Sequence, residues 1–117
     1  MTAKSIILAV DTACGPCSVA VWKDGGVAAY AQDMQTIRQS QRLLPMIEEA
    51  MAACGVAYGD LTAVACTVGP GSFTGIRVGL AAASGICFAA RKPGLGFTTL
   101  ATVAHGAQSF AKNRPVL

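Results

Sequence analysis

Between Arg77 and Arg91 the chain runs VGLAAASGICFAA without a single charge, and the stretch before it reads Val68-Gly69-Pro70-Gly71-Ser72-Phe73-Thr74-Gly75-Ile76. That arrangement constrains the fold more than any other in the sequence. It predicts a buried strand, a loop where Gly69 and Gly71 permit unusual backbone angles and Pro70 stiffens the turn, and a helix capped by Ser72. Such a loop aims backbone N–H groups and the positive helix end at one spot. A surface helix normally keeps a polar face, and this one has none. Its large side chains (Phe73, Ile76, Leu80, Cys87, Phe88) form one face. Gly75, Gly79, Ala82, Ala83, Ala89 and Ala90, with Ile86 as the one bulky member, form another. One face is expected to pack on a sheet, and the small-residue face to admit a second backbone. Two readings stand open: a helix central to its own domain, or one covered by another chain or lobe.

At 117 residues the chain suits one domain with a real core. Hydrophobic residues make up 53% and charged ones 13%, which excludes a disordered tail and suggests apolar surface that is normally covered. The net charge of +3 is uneven: residues 1–60 hold four bases and six acids, while residues 61–117 hold five bases and no acid. Those bases form no run and no aromatics interleave with them, so direct nucleic-acid binding is not indicated. Five cysteines is an odd count, and the apolar run Ile6–Val10 stops at Asp11, too short for a secretory core. The uncharged run Val78–Ala90 would reach about 20 Å as helix against a hydrocarbon core of about 30 Å. The expectation is a cytoplasmic protein with reduced thiols and no membrane span.

In order, Ser5–Val10 reads as a buried strand and Cys17–Trp22 as an alternating one. Lys23-Asp24-Gly25-Gly26 reads as a hairpin turn and Val27–Gln32 as a third strand. Ser40 is placed to cap a helix over Gln41–Cys54, whose Leu43, Leu44, Ile47, Ala50, Met51 and Cys54 share a stripe; Gly55 ends it. Leu61–Val68, the loop and its helix come next, then a short strand at Leu95–Thr98 and a helix over Thr99–Phe110. The sum is β-β-β-α-β-α-β-α, an α/β layout.

Few residues carry a chemical signal. Cys14-Gly15-Pro16-Cys17 has the C-x-x-C form of thiol oxidoreductases, but the adjoining SVAVW alternates like a strand, so no helix dipole would lower the thiol pKa. Asp11, at the end of the first strand, suits either a metal–phosphate complex or the amides of its own turn. His105 lacks a second ligand. Ser72 is no nucleophile elbow, because Pro70 stands where G-x-S-x-G needs glycine, and Gly75-Ile76-Arg77 lacks the Walker A lysine.

LAVDTA with the CSVAVW strand, SQRLLPMIEEAM, and above all VGPGSFTGIRVGLAAASGICFA resemble the TsaB (YeaZ) family over nearly the whole chain. The resemblance implies the N-terminal lobe of an actin-like/Hsp70-like (ribonuclease H-like) fold with a mixed sheet, residues 1–117 forming one lobe and the second lobe absent. It implies a non-catalytic subunit in making threonylcarbamoyladenosine on tRNA, paired with a TsaD-like catalytic subunit and joined by a TsaE-like ATPase. Contact with tRNA would be indirect, and no cofactor is implied. Family members also pair with themselves. Either pairing would use a bundle of the two helices, here Leu43, Met46, Ile47 and Ala50 with Gly75, Gly79, Ala82, Ala83, Ile86 and Ala90. Superfamily phosphate loops would correspond to Asp11, Thr12, Gly69, Gly71, Ser72 and Gly75. The catalytic relative holds a metal on two histidines, whose places here are Thr99 and Val103; neither is a ligand, so no metal site is implied. Gln39 and Gln41 depart from the His and Glu of relatives. The alternatives are an actin-like ATPase or kinase lobe, a glycoprotease-like metallopeptidase, and a C-x-x-C thiol oxidoreductase.

Overall fold

The computed structural model describes residues 5–13, 17–34, 39–99 and 101–102. Three strands open the fold: β1 (Ile7–Asp11), β2 (Cys17–Lys23) and β3 (Gly26–Asp33). Asp24 and Gly25, at φ 55° and 80°, make the tight hairpin turn between β2 and β3, the pair of left-handed residues that a two-residue hairpin needs. After α1 (Gln39–Ala53) and a 3₁₀ turn at Tyr58–Asp60 come β4 (Ala63–Thr67), α2 (Phe73–Ala90) and β5 (Gly94–Phe97). The sheet order is β3-β2-β1-β4-β5. The first three strands run antiparallel, and β1, β4 and β5 run parallel, so the sheet is mixed as the α/β reading requires.

Strand alternation sorts the core. Leu8, Val10, Cys17, Val19, Val21, Val64 and Cys66 point to the helix side and are buried. On the other side Ala9 sits in register between Ala20 and Ala65. That trio floors a depression of about 500 Å³ with Tyr30 and Phe97 on its rim.

Helix α1 buries Leu43, Met46, Ile47, Ala50 and Met51, the i, i+3, i+4, i+7, i+8 spacing of a core-facing stripe. Burying side chains of this size contributes about 1.5–3 kcal/mol each. The helix begins at Gln39, so Ser40 lies in its first turn rather than capping it, and Pro45 is inside. Gly55, at φ 67°, ends it with Val56 N–H donating to Met51 O at 3.0 Å.

Helix α2 starts where Ser72 caps it, the hydroxyl accepting from Gly75 N at 3.1 Å. It ends in Arg91, a left-handed residue (φ 57°) whose N–H reaches Cys87 O. At 18 residues it is longer than the uncharged run alone, about 27 Å, and by length and composition alone could cross a membrane. Its connections say otherwise. It leaves the end of β4 and returns to the start of neighbouring, parallel β5, so it must lie back along the sheet. Of the helix expected over Thr99–Phe110, Thr99, Ala101 and Thr102 are helical. Thr98 starts it, its Oγ1 accepting from Ala101 N at 3.1 Å; the remainder lies outside the described residues.

Candidate functional site

The six loop residues expected near a phosphate do come together, at the ends of β1 and β4 and the start of α2. Several of their polar groups bond within this corner. Asp11 Oδ1 accepts from Ala13 N at 3.0 Å and from Thr67 Oγ1 at 2.8 Å. Thr12 Oγ1, buried, donates to Gly75 O. Ser72 N donates to Ala13 O at 2.7 Å, and a methyl added at Gly71 would overlap the same carbonyl. Gly69 has φ 113°, where a side chain would be strained. The Thr12 and Ser72 bonds tie the α2 start to the turn after β1, and the Thr67 bond ties β1 to β4. The arrangement is a braced corner that fixes α2 on the sheet, with one Asp11 oxygen on the amide of its own turn.

Other expected groups scatter. Cys17 opens a strand, is fully buried, and its thiol is pushed up by burial first and then by the Asp33 carboxylate, with Arg42 opposing. That is the reverse of a redox nucleophile; Cys14 lies outside the described residues. Cys66 is raised as well, by burial and then by Asp11. Thr99 is buried with its hydroxyl unpartnered among the described residues, while Val103 and His105 lie outside them. Among the described residues no three His, Cys, Asp or Glu side chains converge.

Seven of the ten residues of the expected partner face are buried within this chain. Leu43, Met46, Ile47 and Ala50 are buried in the chain's own core, and so are Gly75, Gly79 and Ala83 of α2. The small-residue stripe does admit a close neighbour, but the neighbour is this chain's own sheet. A methyl at Gly79 would overlap Thr12 Oγ1 and come within 3.4 Å of Cys66 Sγ. Of the large face, expected on the sheet, Phe73 (74% exposed), Phe88 (88%) and Leu80 (37%) turn outward instead, while Ile76 and Cys87 are half-buried. The reason is complementarity, since the sheet presents the branched side chains and the helix must supply the small ones.

Three of the ten expected residues, Ala82, Ile86 and Ala90, remain half-buried along an open groove of about 740 Å³. Its far wall is Leu44, Tyr58 and Gly59, and its α2 wall includes Ala81, Gly85 and Ala89. The lining is almost wholly apolar. Among the described residues nothing lies within 4 Å of where a Gly85 methyl would sit, so the groove is open there. Tyr58 has its phenol pushed up by burial and by Glu48, so it stays neutral at physiological pH. Sequence reasoning missed Leu44, Tyr58, Gly85 and Phe88 as surface groups.

Comparison with known proteins places this geometry. The family profile described as "TsaD: tRNA N6-adenosine threonylcarbamoyltransferase" matches residues 34–117. The tRNA threonylcarbamoyladenosine biosynthesis protein TsaB of Escherichia coli (strain K12) is 44% identical over 101 residues, covering 86% of this chain and 43% of that protein. A tRNA N6-adenosine threonylcarbamoyltransferase of Erythrobacter litoralis (strain HTCC2594) is 52% identical over 54 residues, 46% of this chain and 16% of that one. The solved structure of YeaZ from Pseudomonas aeruginosa superposes with a TM-score of 0.85 at 35% identity, covering 90% of this chain and 49% of its own. The chain thus spans less than half the length of each of these relatives.

Proposed function

The chain belongs to the family of TsaB (YeaZ) and TsaD proteins, and on that premise we propose that it serves threonylcarbamoyladenosine formation on tRNA as a supporting subunit. In this reading residues 1–117 are the first of two lobes, working in the cytoplasm. The outer face of α1 and α2 docks a TsaD-like catalytic subunit, a TsaE-like ATPase joins that pair, and tRNA is met through the partner. The observation that carries it is the apolar groove between Leu44 and the small residues of α2, flanked by bare Phe88. Apolar surface of this kind marks association in a soluble protein. A facing helix can set its side chains into the groove because Gly85 and its alanine neighbours leave room.

The supporting role, rather than a catalytic one, rests on the corner at Asp11. Thr12 there holds the start of α2, and Asp11 accepts from Thr67 and the Ala13 amide, a structural use that disfavours the actin-like ATPase reading. Thr99 offers a hydroxyl where the catalytic relative is expected to hold a metal on histidine.

A second reading, pairing of two copies of this chain through the same face, is favoured by one feature. Groove and protruding Phe88 lie on the same helix, so the patch is self-complementary. Sedimentation with and without a TsaD-like subunit separates the two. Ala89→Glu and Phe88→Ser, both at exposed positions, are expected to weaken association at least tenfold while the circular dichroism spectrum is unchanged. Undiminished association of both variants would refute the assigned face.

A further inference from the structure

A different surface lies at the sheet edge farthest from the β2–β3 hairpin. β5 is the last strand in the order and pairs, among the described residues, with β4 alone. Pro93 O accepts from Val64 N at 3.0 Å and Phe97 O from Val68 N at 2.9 Å. Strand residues alternate in the side to which their backbone groups point, so the N–H and C=O of Gly94 and Gly96 face away from β4. No hydrogen bond among the described residues engages them. The whole strand is exposed. Gly94–Phe97 carries no charge, proline or bulge that would blunt an edge.

Two further features bear on what would fit. On the helix side, a groove of about 390 Å³ runs beside the strand, walled by Val68, Leu80, Ser84 and Cys87. Arg91 and Lys92 stand just before the strand, and residues 61–117 contain no acid.

We propose that this edge takes an extended apolar segment of another protein as a sixth strand, with an acidic residue of that segment beside Arg91 and Lys92. Its backbone bonds to Gly94 and Gly96, and every second side chain enters the groove, the pattern of strand addition. The basic pair supplies the charge match that selects the segment. Only two residues offer outward bonds, so the affinity is modest, with Kd about 10–100 µM.

The test is fluorescence anisotropy of the full chain with a labelled hexapeptide of alternating valine and threonine ending in aspartate. A second peptide is N-methylated at the positions that would meet Gly94 and Gly96. The proposal predicts saturable binding of the first and at least tenfold weaker binding of the second. It also predicts that Leu80→Lys weakens the first, and that the Gly94 and Gly96 amides exchange fast in the free chain and slowly in the complex. Equal binding of both peptides, or no saturation by about 1 mM, overturns it. So does slow exchange of those amides in the free chain, which would mean the edge is already covered. Dissociation of a self-associated chain by the peptide would assign the edge to a second copy and equally overturn it.

Discussion

Replacing Gly79 by alanine probes how α2 lies on the sheet. In an exposed helix the change would stabilise by about 1 kcal/mol, because glycine is the poorer helix former. Here the new methyl would overlap Thr12 Oγ1, which is buried and donates to Gly75 O. Forcing a methyl into a filled site costs about 1–3 kcal/mol. Displacing the buried Thr12 hydroxyl breaks its bond to Gly75 O, about 1–3 kcal/mol more. The net expectation is destabilisation of about 2–3 kcal/mol, or about 10–20 °C in Tm for a domain of this size. Gly85→Ala is the internal control: the same change on the same helix, with nothing among the described residues within 4 Å of the new methyl. It should raise stability by about 1 kcal/mol in the isolated chain. Urea titration of both variants, with Thr12→Ala added to Gly79→Ala to measure their coupling, is the assay. A neutral or stabilising Gly79→Ala, or no coupling to Thr12, would refute the packing of α2 against β1 and β4.

Other expectations concern the braced corner and the thiols. Ser72→Ala removes the cap that Gly75 N uses and should cost about 1 kcal/mol in the same titration. Asp11→Ala strips the acceptor from Thr67 and from the Ala13 amide, with an expected loss of about 1–3 kcal/mol; an unchanged midpoint would show that the corner is not braced by Asp11. Cys17 and Cys66 both titrate higher folded than unfolded, burial being the main cause. As pH rises past the ordinary thiol value of about 8.5, the unfolded chain loses these protons first. Stability is therefore whole below that pH and falls above it, and Cys17→Ala with Cys66→Ala together should flatten the decline in a pH series of melts. In the folded chain both thiols should react with a water-soluble disulfide reagent far more slowly than exposed thiols do.

The order of elements was legible because each carries its own punctuation. The Asp24-Gly25 turn, the Gly55 stop, the Ser72 cap and the break at Pro93 all sit at element ends in the structure. The α1 stripe was legible as a core face for the same local reason, its spacing. Which face of α2 goes inward was not, because periodicity separates two faces without ranking them when neither is polar. The ranking came from the partner surface: Thr12 and Cys66 fill the space that α2 leaves at Gly79. The site at Asp11 was legible in its membership and not in its chemistry. Bonds such as Thr67 to Asp11 span 56 residues, and no local pattern announces them.

The central claim is that the groove between Leu44 of α1 and the Ala82–Gly85–Ala89 side of α2, not the buried line Gly75, Gly79 and Ala83, meets a partner. Hydrogen exchange of the chain alone and mixed with a TsaD-like catalytic subunit tests it most directly. Slower exchange concentrated at the outer face, around Leu44 and Ala81–Ala90, is the predicted result. Slowing confined to the β2–β3 hairpin or the Asp11 corner, with α2 unchanged, would contradict the account.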